Sequence, residues 1–334
     1  MTTRIYLDHA ATTPMRPEAI AAMAEGMARW ANPSSPHAEG RAARRVLEDA
    51  RARIAAALDW DGEVILTSGA SEALSIALRG RDAAAASVEH DAVLRIAGEQ
   101  RVPVGADGLI DLAALPPARR VAVQSANSET GVMQPLAAVA ACAGVLVADC
   151  SQSAGKLPLP SADLIVVSAH KLGGPPGIGA LLVRDLALLT PTGGQEQGYR
   201  GGTENLPGAL GFAAALEAPR DWFEAAALLR ARLDAAIRAG GGEVVADASP
   251  RIATIAAYRL PGRSAAAQLM RLDSAGFAVS AGSACSSGTL KTSHVLSAMG
   301  MDTKAASEVI RVSFGWTTTA EEVDAFAAAW RAMA

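Results

Sequence analysis

"DLIVVSAHKLGGPPGIGALLVR", residues 163–184, sets an apolar run, a lysine, a turn rich in glycine and proline, and a second apolar run in succession. Both runs are short and dense in Val, Ile and Leu, the pattern of strands buried on both faces of a helix-covered, largely parallel sheet. Lys171 closes the first run. Lysine occurs only at Lys156, Lys171, Lys291 and Lys304, and arginine supplies the other positive charges. Arginine serves well as a surface cation but does not condense with an aldehyde. A lysine amine does so once desolvation has taken its proton. The position therefore poses a choice between a reactive amine and the plain end of a strand.

Working outward, "EVILT" (63–67), "RVAVQS" (120–125) and "GVLVADC" (144–150) read as further strands beside "DLIVVSA" (163–169) and "GALLVR" (179–184). Helical stretches such as "SEALSIALRG" (71–80) and "LAAVAACAG" (136–144) alternate with them, which predicts an α/β layer architecture. A long helical stretch follows at 207–239 and stops at "GGG" (240–242), the candidate domain boundary. "RIATIAAYRL", "AAQLMRLDSAG" and a last helix, "AEEVDAFAAAWRAMA", complete the chain.

The 334 residues are 50% hydrophobic and 19% charged, enough for two domains and a large core. A net charge of −4 gives no electrostatic reason to expect nucleic acid or an anionic membrane as partner. No stretch is apolar for the roughly 18 residues that a membrane span needs. The start, "MTTRIYLDHAATTP", has neither a charged nor an apolar leader region, so export is not expected. Cys142, Cys150 and Cys285 are an odd set without metal-type spacing, which fits a reduced, cytoplasmic protein with at most one reactive thiol.

Three segments carry chemistry. In "LTSGASEAL" (66–74) a strand runs through small and hydroxyl residues into a helix, whose free N–H groups, with Ser68 and Ser71, suit a phosphate. An ordinary serine-capped start reads equally well from those residues alone. In "VADCSQSAGK" (147–156), Asp149 ends an apolar run and needs a cationic partner. A protonated pyridine nitrogen or a buried arginine would both serve, and Gln152 could donate to a ligand on the same side. Ser168, His170 and Lys171 end the next strand. Ligands of open α/β sheets bind at the carboxyl ends of strands. A phosphate cradle, a carboxylate for a ring nitrogen and an amine for an aldehyde are the anchors of pyridoxal 5′-phosphate.

With these motifs in place the chain resembles the cysteine desulfurases, fold-type I pyridoxal-phosphate enzymes of the class V aminotransferase group. The resemblance rests on "YLDHAATTP" (6–14), "NPSSPH" (32–37), "TSGASEA" (67–73), "VEHDAV" (88–93), "ANSETGVMQP" (126–135), "ADCSQSAGK" (148–156), "SAHKLGGPPGIG" (168–179), "RGGTEN" (200–205), "SAGSACSSG" (280–288) and "IRVSFG" (310–315), in the family's order. It implies a large cofactor domain over 13–242 and a smaller α+β domain from 1–12 and 243–334. By the same resemblance Lys171 joins the cofactor covalently, and Asp149 pairs with the ring nitrogen. Gln152 contacts the phenolic oxygen, where Ser128 stands in place of a longer side chain for which Asn127 or a water would compensate, and His90 stacks on the ring and assists proton transfer. Ala70, Ser71, Ser168 and His170 surround the phosphate.

The resemblance further implies that Thr203 reaches the phosphate of a neighbouring subunit in a homodimer. Arg311 would bind the substrate carboxylate, Asn32 would help place the substrate, and Cys285, in a loop long enough for the long-loop branch, would take the sulfur. L-cysteine would then yield L-alanine and a persulfide on Cys285, destined for iron–sulfur scaffolds or tRNA-thiolation carriers. No resident metal is implied, although Cys285 could touch a nascent cluster in passing. Three features depart from the family: Ser128 replaces the second of two asparagines, while Gln197 and Trp316 each stand where an arginine is frequent. Rival readings are a selenocysteine lyase or small-substrate aminotransferase on the same scaffold, and a non-catalytic partner-binding homologue.

Overall fold

The structure, a computed structural model, describes residues 4–116, 119–284 and 290–333. A two-residue strand, β1 (Ile5–Tyr6), precedes helices α1 (Pro17–Ala28) and α2 (Ala38–Ala57). The main sheet then takes β2 (Glu63–Thr67), β3 (Ala83–Ala86), β4 (Arg101–Val102), β5 (Arg120–Gln124), β6 (Val145–Asp149), β7 (Leu164–Ser168) and β8 (Gly179–Val183). Its order is β2-β8-β7-β6-β5-β3-β4. From β7 to β4 every pairing is parallel, and β8 alone runs against both its neighbours. The carboxyl ends of β2, β5, β6 and β7 consequently lie along one edge.

The apolar strands read from sequence form where the pattern places them, and every residue of β7 and β8 is buried, as two helix-covered faces demand. Helices α3 (Ala70–Leu78), α4 (Asp91–Leu94) and α5 (Leu136–Cys142) connect the strands. Strand β3 is "AAAA" and was not expected. Alanine has little strand preference of its own, and burial of all four residues, between β4 and β5, makes the strand.

The stretch expected as one helix over 207–239 is two, α6 (Leu206–Glu217) and α7 (Asp221–Ala239). Pro219 lies between them and stops the first, since it lacks the N–H that a continuing helix needs. The two helices serve different cores. α6 is buried over most of its surface and packs on α1 and α2. α7 turns Leu233 and Ile237 into a second core with Leu7, Tyr258, Phe277, Phe326 and Trp330.

That second core lies against β9 (Glu243–Val244), β10 (Ile255–Arg259) and β14 (Val309–Ser313), an antiparallel sheet in the order β14-β10-β9. β1 pairs in parallel with β11 (Phe277–Ala278), and β12 (Ser283–Ala284) pairs antiparallel with β13 (Leu290–Lys291). Helices α8 (Ala265–Ser274) and α11 (Ala320–Arg331) complete this core, whereas α9 (His294–Ala298) and α10 (Thr303–Ala306) turn Val295, Leu296 and Ala306 into the main one. Because α7 packs with it, we propose moving the domain boundary from 242 to the 218–220 connection.

One ion pair locks a loop to the main sheet. Glu196 and Gln197 sit at φ +48° and +57°, a conformation that costs a non-glycine residue about 1–3 kcal/mol. The buried Glu196 carboxylate accepts from Arg51 Nη1 at 2.5 Å, Arg51 Nη2 at 3.0 Å and the backbone N–H of Leu66 in β2 at 2.8 Å. Gln197 only meets Glu63 at the surface. Removing Arg51 would leave a buried carboxylate without its counter-charge, at a cost of about 3–5 kcal/mol. Arg51→Ala is therefore expected to lower the urea midpoint by a matching amount, checked by equilibrium denaturation, whereas Glu63→Gln is expected to change it little.

Candidate active site

The carboxyl edge of the main sheet, the segment after β1 and strand β14 enclose a cavity of about 890 Å³. Lys171 reaches it from the short turn that follows β7. Its amine donates to the carbonyls of Ala10 at 2.6 Å and Ala11 at 2.8 Å. Burial first, then the Arg311 charge, push this amine from the usual 10.5 down to about 8, against the pull of Asp149 and Asp8. Lys156 lies behind it, donates to the Gln152 carbonyl at 2.9 Å, and is pushed to about 7 by burial and then by Lys171. His170 is held near 4 for the same two reasons, with Nδ1 3.1 Å from the Thr12 hydroxyl.

Asp149, the last residue of β6, is buried, and its Oδ1 accepts the Ser151 N–H at 2.9 Å. Gln152 donates to the Ala10 carbonyl at 2.9 Å, while its own buried Oε1 has no protein partner. His90 is both a helix-start residue and a cavity residue: Nδ1 accepts the Ala92 N–H at 3.1 Å, which leaves Nε2 free to carry the proton. Glu89 beside it is completely buried and accepts the Gln124 N–H at 2.7 Å. Burial pushes the Glu89 carboxyl well above the usual range, opposed by that N–H and aided by Asp149. Cys150 is also buried, and burial followed by Asp149 raises its thiol to about 12.

Ser68, Gly69, Ala70 and Ser71 line the cavity at the start of α3, together with Ser168 and His170. Gly69 has φ +143°, which suits glycine, and nothing would crowd a Cβ there, so the helix start lies open. Across the cavity, Arg311 on β14 donates from Nη2 to Asp8 Oδ1 at 2.8 Å and from Nη1 to the Ser128 carbonyl at 2.9 Å. Its buried Nε has no partner among the described residues.

Three expected residues do not join this group. Asn127 is turned away from the cavity: its Oδ1 accepts the N–H groups of Glu129 and Thr130 at 2.9 Å each, and its Nδ2 donates to the Val88 carbonyl at 3.1 Å. It holds a turn, and Ser128 takes the cavity-lining place. Asn32 and Thr203 are exposed and lie outside the cavity of this chain. Asn32 accepts the Ser34 N–H at 2.9 Å. Cys285 lies outside the described residues. Trp316 braces the chain start, donating to the Pro14 carbonyl at 2.9 Å with the Arg16 guanidinium over its ring.

The family described as "Aminotransferase class-V" matches residues 5–326. A cysteine desulfurase of Cereibacter sphaeroides is 38% identical over 362 residues, 96% of this chain and 93% of that protein. An IscS-like cysteine desulfurase of Mycobacterium tuberculosis is 38% identical over 367 residues, with the same two coverages. The chain belongs to the cysteine desulfurase family of class V aminotransferases. Among solved structures, a NifS-like protein from Rickettsia africae superposes with a TM-score of 0.90 at 28% identity, over 99% of both chains.

Pyridoxal 5′-phosphate is the cofactor of this cysteine desulfurase family, and the residues present fit it. A lysine amine close to neutrality, a buried carboxylate at a strand end, an orphaned Gln152 oxygen and an open helix start face one space large enough to hold it. Among the described residues no group of three His, Cys, Asp and Glu side chains is placed to hold a metal, and no helix is long and apolar enough to cross a membrane. Sequence reasoning missed Asp8, Glu89, Glu129 and His294. Asp8 stands in the quoted "YLDHAATTP", but its partner is 303 residues away. Glu129 and His294 line the cavity, and the Glu89 carbonyl lies 2.9 Å from His294 Nε2.

The folded Lys171 amine gives up its proton near pH 8, whereas the unfolded one keeps it to about 10.5, so the unfolded chain binds more protons in between. Folding of the cofactor-free protein therefore becomes more favourable as pH rises through that window. Measured by urea denaturation, wild type should gain stability relative to Lys171→Met between pH 8 and 10.5; a flat difference would contradict the perturbed amine.

Proposed function

We propose that this protein removes the sulfur of L-cysteine, releasing L-alanine and leaving a persulfide on Cys285. The observation that carries the reading is the placement of a near-neutral Lys171 amine, the Asp149 carboxylate and the Arg311 guanidinium around one cavity. The cofactor, when bound, supplies an electron-accepting ring that makes the substrate α-proton labile. The chain supplies the rest. Arg311 grips the substrate carboxylate with a fork already oriented by Asp8 and the Ser128 carbonyl.

Lys171 would take the α-proton at Nζ and return a proton to the substrate carbon skeleton. Asp149 holds the proton on the ring nitrogen. The start of α3, with Ser168 and His170, would bind the phosphate, and Gln152, its amide turned so that Nε2 donates, would meet the phenolic oxygen. His90 would pack on the ring from its place at the cavity wall. The Cys285 thiolate attacks the substrate sulfur: the S–S bond forms as the C–S bond breaks, and no external oxidant is needed. Cysteine and an enzyme thiol give alanine and an enzyme persulfide, so the atoms balance.

Thr203 and Asn32, exposed and outside this chain's own cavity, fit contacts to a second copy, with Thr203 reaching the partner subunit's phosphate. The persulfide sulfur then passes to an acceptor protein, an iron–sulfur scaffold or a tRNA-thiolation carrier. A reduced compartment such as the cytoplasm suits a reaction that depends on a free thiol.

Purified protein given L-cysteine is expected to form alanine and, with a reductant, an equal amount of sulfide. Cys285→Ala should keep the cofactor's absorbance and lose sulfide release, and Lys171→Ala should lose both activities. Arg311→Lys should raise KM for cysteine by roughly ten- to a hundredfold, the worth of a charge-assisted fork. Full sulfide release by Cys285→Ala would overturn the reading in favour of a lyase chemistry that cleaves the C–S bond without a protein thiol.

A further inference from the structure

Glu129 is buried at the cavity wall and takes no part in the reaction outlined above. It stands where the two ends of the Cys285-bearing segment meet. Its Oε2 accepts the Ser293 hydroxyl at 2.5 Å, and Ser293 is the residue from which α9 begins. The same oxygen touches Gly282 on the other side. A Cβ at Gly282 would lie 2.2 Å from Glu129 Oε2 and 3.1 Å from the Ser293 Cβ, so only glycine lets the three residues converge. Between Gly282 and Ser293 the backbone is drawn together again by the β12–β13 pair, with Ser283 opposite Lys291 and Ala284 opposite Leu290.

Both sides of this junction are tied into the protein's cores. Ser293 Oγ also accepts the Leu296 N–H at 3.1 Å, while Val295 and Leu296 are buried in the main core. On the preceding side, Ala281 is buried in the second core, and Ser280 bridges Arg311 on β14. Glu129 is itself oriented by Asn127, whose Oδ1 accepts its N–H. The turn Asn127 holds thus ends in a carboxylate that ties both ends of the segment beside the substrate arginine.

We infer that Glu129 is the positioning residue that anchors both roots of the Cys285 segment and so fixes the arc through which the thiol can approach the substrate sulfur. The inference rests on Cys285 being the sulfur acceptor. Nothing in it requires Glu129 to touch substrate or cofactor. A carboxylate suits the place because it accepts from the Ser293 hydroxyl with charge assistance and presents no hydrogen to the Gly282 backbone packed against it.

The test compares Glu129→Ala, Glu129→Gln, Ser293→Ala and Cys285→Ala in the cofactor-loaded enzyme. Glu129→Ala should lower kcat for sulfide release by roughly ten- to a hundredfold, the scale of an ångström-sized misplacement. KM for cysteine and the absorbance change on adding cysteine should stay near wild type, because Lys171, Asp149 and Arg311 are untouched. Trypsin cleavage after Lys291 should quicken in Glu129→Ala. Glu129→Gln, whose carbonyl still accepts from Ser293, should recover most of both signals, and Ser293→Ala should fall between and report on the same contact should Glu129→Ala not fold.

Wild-type kcat and wild-type cleavage in Glu129→Ala or Ser293→Ala, with Cys285→Ala inactive, would overturn the inference alone. So would an equal loss of cysteine binding and turnover in Glu129→Ala, which would mark a general defect of the site. Persistent sulfide release by Cys285→Ala would instead overturn the functional reading on which the inference stands.

Discussion

A lysine amine held by two main-chain carbonyls organises this protein. The carbonyls of Ala10 and Ala11 receive Lys171, and Gln152 binds Ala10 as well, so the segment after β1 is drawn across the edge of the main sheet. That segment also carries Leu7 into the second core and offers Asp8 to Arg311. One stretch of chain thereby joins the sheet, the Lys171 amine and the Arg311 guanidinium. The cost is a desolvated amine, which gives up its proton well below the usual range. A nucleophilic or proton-accepting amine must be neutral, and the same desolvation favours that form.

The electrostatics of the cavity follow from how little water the groups keep. Lys156, His170 and Glu89 are each shifted toward their neutral forms, with burial the largest cause in every case. Charge is thus confined to a few paired places, above all the fork between Arg311 and Asp8. A substrate carboxylate that enters finds a cation whose orientation is already fixed, which reduces the ordering left for binding.

Much of this arrangement was legible in the sequence, for physical reasons that can be named. The Val- and Leu-rich strands around Lys171 and Asp149 declare themselves because burial on both faces leaves no polar positions. Strand β3 does not, since four alanines carry no strand signal until their neighbours bury them. The division of 207–239 hung on Pro219, easily passed over inside an alanine-rich run. The reading of Asn127 as a ring contact came from its place in a motif, whereas the fold commits its amide to a turn. Pairings such as Asp8 with Arg311, or Glu129 with Ser293, join residues more than 160 positions apart and leave no trace in local pattern.

Cys150 carries one more consequence. A thiol adjoining Asp149 at the cavity wall would be an obvious rival destination for a migrating sulfur atom. Its enclosure, next to a carboxylate, keeps it protonated across the whole physiological range and walls it off from any acceptor. The interior beside Asp149 thus offers a migrating sulfur atom no place to stop.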